Sequence, residues 1–330
     1  MSRFSLIAAV LLALGCAPDF TKPMKLGGVE VSAEQLNRGK EAYTQYCRAC
    51  HGDKGDGTGP ASYGLRPPPR DFTAATFKFA HVASGQLPND DDFVRIVKGG
   101  LHGTAMLAWD VPEPTLRDIV QYLKTFSPRW QSETPGDPVK APADPWGEAK
   151  KAEAVARGAK IYHGLAQCLQ CHAAYETKQQ IYDDSKELTG NGTTEFRATM
   201  YQPEQKESDY VDRHYAAGKD GSYPKIKLLP PDFLFNDVRS GSQVQDIYLT
   251  IASGVGGTAM PSWKGSLPDA DVYAMAYYVH SLVEMKGTPA AEALRQKLAS
   301  QPAFVPPPDT AAAPAPGAPA AAPAPAEKKG

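Results

Sequence analysis

The chain of 330 residues lacks long apolar runs, has almost no net charge and contains only five cysteines. Its 35 Lys and Arg nearly cancel 37 Asp and Glu, for a formal charge of −2. With no basic excess, nothing points to nucleic acid as a partner, and no one-signed surface marks an acidic or basic docking protein. The apolar run Leu6-Ile-Ala-Ala-Val-Leu-Leu-Ala-Leu14 falls well short of the roughly 20 residues that span a bilayer. No segment alternates apolar and polar residues clearly enough to read as a strand. What remains is the composition of a globular protein long enough for two domains and a linker.

The scarce cysteines are placed in pairs. Cys47-Arg48-Ala49-Cys50-His51 and Cys168-Leu169-Gln170-Cys171-His172 share the spacing C-x-x-C-H, and Cys16 stands alone. That spacing is an attachment signal for haem c: each thiol adds to one vinyl group, and the adjacent His turns its imidazole to the iron. Use of both motifs leaves no cysteine for a structural disulfide. The alternatives, a split four-Cys zinc site or a redox dithiol, explain neither the His after each pair nor the methionines described below.

The N-terminus reads as an export signal over residues 1–15, with Arg3, then the short apolar core, then small residues. Ala13-Leu14-Gly15-Cys16 resembles a bacterial lipobox, with Ala13 where Leu is commonest, so Cys16 is the expected lipidation site. The expected location is therefore extracytoplasmic, periplasmic or on the cell surface, with membrane anchoring through the lipid. Export suits covalent haem attachment, which bacteria carry out beyond the cytoplasmic membrane.

An internal repeat organises the rest. Arg38-Gly39-Lys-Glu-Ala-Tyr43 and Arg157-Gly158-Ala-Lys-Ile-Tyr162 precede the two motifs. Pro67-Pro68-Pro69-Arg70-Asp71-Phe72 is echoed by Pro230-Pro231-Asp232-Phe233. Gly103-Thr104-Ala105-Met106 with Trp109 is echoed by Gly257-Thr258-Ala259-Met260 with Trp263, and the stretch up to Tyr122 by the stretch up to Tyr278. The expected organisation is a tether over 16–31, one domain over 32–130, a Pro-rich linker over 131–149, a second domain over 150–287, and a C-terminal segment over 288–330. Its Ala/Pro-rich end cannot bury enough apolar surface to fold. Each domain reads as helical. An opening helix is capped at Ser32 in the first copy, a middle helix covers 90–98 or 242–252, and a closing helix covers 113–126 or 269–284.

With these landmarks, each repeat resembles a class I cytochrome c domain, and the chain resembles bacterial dihaem c-type cytochromes over nearly all of residues 35–285. The implied fold class is all-α, with two tandem cytochrome c-like domains and a long insertion, 173–227, in the second. The resemblance makes Gly39 and Gly158 the points where opening and closing helices cross, beside Tyr43, Tyr162, Tyr122 and Tyr278. It makes Met106 and Met260 the sixth iron ligands opposite His51 and His172. A soft, neutral thioether favours ferrous iron, raises the potential and closes the last coordination position. Met200 and Met275 are the competing methionines. Pro60 is the implied carbonyl partner of the His51 ring N–H, whereas none is assigned for His172. Trp109 and Trp263 either reach haem propionates or wall the pockets, and Arg70 is a further propionate candidate. His214 is expected at the surface, and His81, His102, His163 and His280 at the surface or in packing. The insertion is expected to cover the second haem edge or dock a partner.

The cofactors expected are thus two haem c groups. The leading reading is a non-enzymatic carrier of single electrons between extracytoplasmic redox proteins: a quinol-oxidising complex, a dehydrogenase, or a terminal oxidase or reductase. A haem subunit of a larger membrane oxidoreductase is the second reading, and a dihaem cytochrome c peroxidase the third.

Overall fold

The computed structural model describes residues 19–307. The export signal, Cys16 and most of the Ala/Pro-rich segment lie outside the described residues.

The described chain is mostly helical. Two short antiparallel strands open it, β1 (Met24–Leu26) and β2 (Val29–Val31), paired Leu26 to Val29. They correct two expectations: no strand is legible in the sequence, and residues 24–31 do not act as a loose tether. Leu26 and Val31 are buried with Trp130, and Gly27 N–H donates to the Trp130 carbonyl. Helix α1 (Ala33–Tyr46) starts at Ser32, whose Oγ accepts from Gln35 N–H at 3.2 Å, satisfying one free donor of the first turn. A four-residue helix, α2 (Arg48–His51), carries the first C-x-x-C-H. Then come α3 (Asp90–Gly99), α4 (Glu113–Lys124) and the short α5 (Arg129–Ser132).

The second half repeats the order. Helix α6 (Lys151–Lys160) runs into a π-helical turn over Ile161–Leu165, and a 3₁₀ turn over Cys168–Gln170 carries the second motif. Helix α7 (Lys178–Thr189) lies in the insertion, followed by α8 (Val244–Ser253), α9 (Asp269–Met285) and α10 (Pro289–Ala299).

Each half has its own buried core, one around Tyr43, Leu116 and Trp130, the other around Tyr162, Tyr248 and Met275. The two are built alike. Helix α1 crosses α4, and α6 crosses α9, each at a glycine. A Cβ on Gly39 would stand 2.2 Å from the Asp118 carbonyl oxygen, and one on Gly158 would stand 2.0 Å from that of Ala274. Only glycine permits such an approach. An arginine one residue earlier clamps each crossing: Arg38 Nε lies 2.8 Å from Asp118, and Arg157 Nε 3.0 Å from Asp271. Edge-to-face tyrosines fill each crossing, Tyr43 on Tyr122 at 5.3 Å and Tyr162 on Tyr278 at 5.6 Å between centroids.

The linker and the described part of the C-terminal segment are both laid down on this frame. Trp146 Nε1–H donates to the Ala270 carbonyl, Tyr273 OH to that of Pro142, and Val139 N–H to that of His81. Phe304 packs on Tyr182 and Phe196 of the insertion. The insertion is no simple polar excursion. Arg213 Nε reaches Asp71 at 2.5 Å, and Ser62 Oγ lies 2.7 Å from His214 Nε2, both across to the first half. His214 is therefore an interface residue rather than a surface one, its side chain only 10% exposed.

His163 is fully buried. Its Nδ1–H donates to the Ala159 carbonyl and its Nε2 accepts from Tyr175 N–H, so the ring is held neutral and burial drives its pKa down to about 4. The Glu176 carboxyl 3.4 Å away therefore gains no ion pair. Burial, with Asp184 beside it, pushes Glu176 up to about 8.

Gly39→Ala and Gly158→Ala force each helix crossing apart; each is expected to cost at least about 1–3 kcal/mol, read as a lowered thermal midpoint. An unchanged midpoint would show that the crossing can widen freely. Glu176 generates a pH dependence. Between the ordinary carboxylate range and pH 8 the folded chain keeps a proton that the unfolded chain releases, so stability falls as pH rises through that window. Urea midpoints at pH 5 and pH 8 should converge in Glu176→Gln relative to the parent chain.

Candidate haem sites

In each motif the two cysteines and the histidine occupy positions i, i+3 and i+4, one face of a helical turn. The backbone supplies that turn in both halves. His51 N–H donates to the Cys47 carbonyl at 3.0 Å, and His172 N–H to that of Cys168 at 2.9 Å. The tyrosine four residues ahead of each first cysteine, or six in the second half, holds the stretch just after the motif: Tyr43 OH donates to the Gly52 carbonyl at 2.8 Å, and Tyr162 OH to that of Ala173 at 2.9 Å.

The imidazoles are oriented by backbone carbonyls. His51 Nδ1 lies 3.1 Å from the Arg70 oxygen, and His172 Nδ1 lies 3.2 Å from the Pro231 oxygen. A carbonyl only accepts, so Nδ1 carries the proton and Nε2 is left as the ligating atom. This corrects the assignment of Pro60, whose loop turns away to hold the C-x-x-C-H backbone instead, Gly59 N–H donating to the Cys50 carbonyl. It also supplies the partner missing for His172. The echoed Arg70-Asp71-Phe72 and Pro231-Asp232-Phe233 are the signal that had this information. Each Phe stacks on its histidine, Phe72 on His51 at 4.5 Å and Phe233 on His172 at 5.1 Å. Burial holds His51 down to about 4 and lowers His172, which keeps both rings neutral, the form a metal requires.

The methionine loops match bond for bond. Met106 N–H donates to Thr104 Oγ1 and Met260 N–H to Thr258 Oγ1, each at 3.1 Å. The Met106 carbonyl accepts from Leu101 N–H at 2.8 Å, and that of Met260 from Val255 N–H at 3.1 Å. Three residues on, Trp109 N–H donates to the Val97 carbonyl and Trp263 N–H to that of Ile251. Trp109 is 44% exposed and meets Tyr46, the residue before Cys47, edge to face. Met200 and Met275 are each 1% exposed and packed in cores.

In the second half the predicted residues converge on one cavity of about 610 Å³, lined by Cys168, Cys171, His172, Met260 and Trp263. That volume falls in the range of small-molecule and cofactor pockets. Lys78, His102 and Gly103 of the first half line the same cavity, which nothing in the sequence reveals. The donor set suits haem c: paired thiols, an imidazole with Nδ1 engaged, and a thioether on a loop. It does not suit a redox dithiol. Burial, then the neighbouring cysteine, pushes Cys47 and Cys168 up to about 12, whereas an attacking thiol needs a lowered value. Among the described residues no three His, Cys, Asp or Glu gather as a zinc site would require.

Residues 34–123 match the family model of cytochrome c oxidase, cbb3-type, subunit III. Among solved structures, a chain of the reducing HAO-like protein complex of Kuenenia stuttgartiensis is similar, with 28% identity and a TM-score of 0.56. The likeness covers 74% of this chain and 96% of that one. No curated protein matches. Together with the paired donor sets, these likenesses support a c-type cytochrome whose haem serves electron transfer.

Proposed function

We propose that the chain is a dihaem carrier of single electrons, built from two copies of one cytochrome c domain, each haem ligated by His and Met. The observation that carries this reading is the single cavity that gathers Cys168, Cys171, His172 and Met260, with the same hydrogen bonds around Cys47, Cys50, His51 and Met106. Bound haem c supplies one-electron chemistry at its iron. The protein's part is to attach it through two thiols, to orient each imidazole by a carbonyl, to present a neutral thioether and to keep water out with Phe72 and Phe233. His51 with Met106, and His172 with Met260, would each hold an iron from two protein donors and leave peroxide no open site, which weighs against a dihaem peroxidase. The likeness to a chain of an HAO-like complex favours a second version of the same reading, a haem subunit of a larger oxidoreductase. Export and a lipid on Cys16 complete the proposal, placing the haems on the extracytoplasmic side of a membrane with redox proteins as partners.

Intact mass and a pyridine haemochrome assay should count two haems per chain, falling to one in Cys47→Ala/Cys50→Ala and in Cys168→Ala/Cys171→Ala. Ferric protein should show the weak near-infrared band of methionine ligation. Met106→Ala and Met260→Ala should each remove about half of it and open one haem to carbon monoxide after reduction. An undiminished band in both variants would reject the assigned methionines.

A further inference from the structure

Three cations meet where the halves join. Arg70 and Lys78 both lie over the ring of Tyr210, at 3.6 Å and 4.9 Å from its centroid. Lys78 and Arg239 line the cavity that holds Cys168, Cys171, His172 and Met260. The three are half-buried, and none makes an ion pair or a side-chain hydrogen bond with a described carboxylate. Asp71, next in sequence to Arg70, is engaged by Arg213. Of the acids on the cavity wall, Asp237 is engaged by Lys286, and Glu207 makes no ion pair with any of the three cations. The strain shows in the ammonium of Lys78, which burial first, and then Arg70 and Arg239, pull down to about 7. Burial lowers Arg239 as well.

Cations withdrawn from water without a counter-charge are costly, and a fold keeps them where an anion repays the cost. The backbone around them is firmly set. Gly256 N–H donates to the Lys78 carbonyl at 3.2 Å, and His102 N–H donates to the Arg239 carbonyl at 3.1 Å. Tyr210 OH donates to the Gly256 carbonyl at 2.7 Å. Each half thus fixes the residue the other half offers to the cavity.

We propose that Lys78 of the first half and Arg239 of the second form a carboxylate-binding site in the second haem cavity, taking the haem propionates, so that the first half completes the second haem's site. The proposal rests on the dihaem reading above. It makes the two haem sites unequal: the second haem has a cation from another domain at its acidic edge, which favours its reduced form, because a nearby positive charge opposes the added positive charge of ferric iron.

The test is a spectroelectrochemical titration of the holoprotein and of Lys78→Gln, Arg239→Gln, Lys78→Arg and, as a surface control, Lys98→Gln. The two single-haem cysteine variants assign each midpoint. Lys78→Gln and Arg239→Gln should lower the midpoint of the haem on Cys168 and Cys171 alone, by on the order of tenfold in its redox equilibrium, about 59 mV. Lys78→Arg should keep the parent value, and Lys98→Gln should change neither haem. Two attached haems with midpoints unmoved in both Gln variants would overturn the site, as would equal shifts of the two haems. Fewer than two haems in the parent chain would instead overturn the dihaem reading.

Discussion

Two backbone-to-backbone contacts set the geometry of both halves. Where α1 passes α4, and α6 passes α9, the helices come so near that a single methyl group has no room at Gly39 or Gly158. That closeness lets Tyr43 and Tyr162 reach past the crossing to the carbonyls just after each C-x-x-C-H. It also sets Arg38 and Arg157 onto Asp118 and Asp271. The motif follows directly from the opening helix in one half and after a π-helical turn in the other, so an opening helix displaced by one methyl would carry its cysteines and histidine with it.

The halves differ in what surrounds this shared frame. In the first, the loop after His51 is short and folds back on its own motif. In the second, the insertion replaces that loop and reaches across the molecule. Tyr210 is its pivot, lying under Arg70 and Lys78 of the first half and bonded to the backbone beside the Met260 loop. Arg213 and His214 extend the same contact to Asp71 and Ser62. The insertion therefore serves as a strap between halves, and the first half contributes a wall to the second cavity.

The electrostatics follow from burial. His51 and His172 are neutral because burial opposes their charged form, and the Cys47 and Cys168 thiols stay protonated for the same reason. Both conditions suit a site whose donors are to be committed to a porphyrin and its iron. They are poor conditions for acid–base or thiolate catalysis at neutral pH, where a working group needs a pKa near the ambient value.

Short-range spacing determined much of what the sequence could disclose. C-x-x-C-H places its donors on one turn whatever the fold around it, Ser32 caps the helix it precedes, and the repeat of Gly, Tyr and Met landmarks marks equivalent positions because each serves a local geometric need. The resemblance implied Pro60 as the carbonyl, yet Arg70 holds His51; the echo of Arg70-Asp71-Phe72 in Pro231-Asp232-Phe233 is visible in the sequence, but not that its backbone returns to the histidine. The strands at 24–31 are three residues each, too short for any alternation to register. The roles of Tyr210, His214, Lys78 and Arg239 were decided by tertiary structure alone. Each depends on contacts between segments separated by 100 residues or more, and no local pattern encodes which distant segment will arrive.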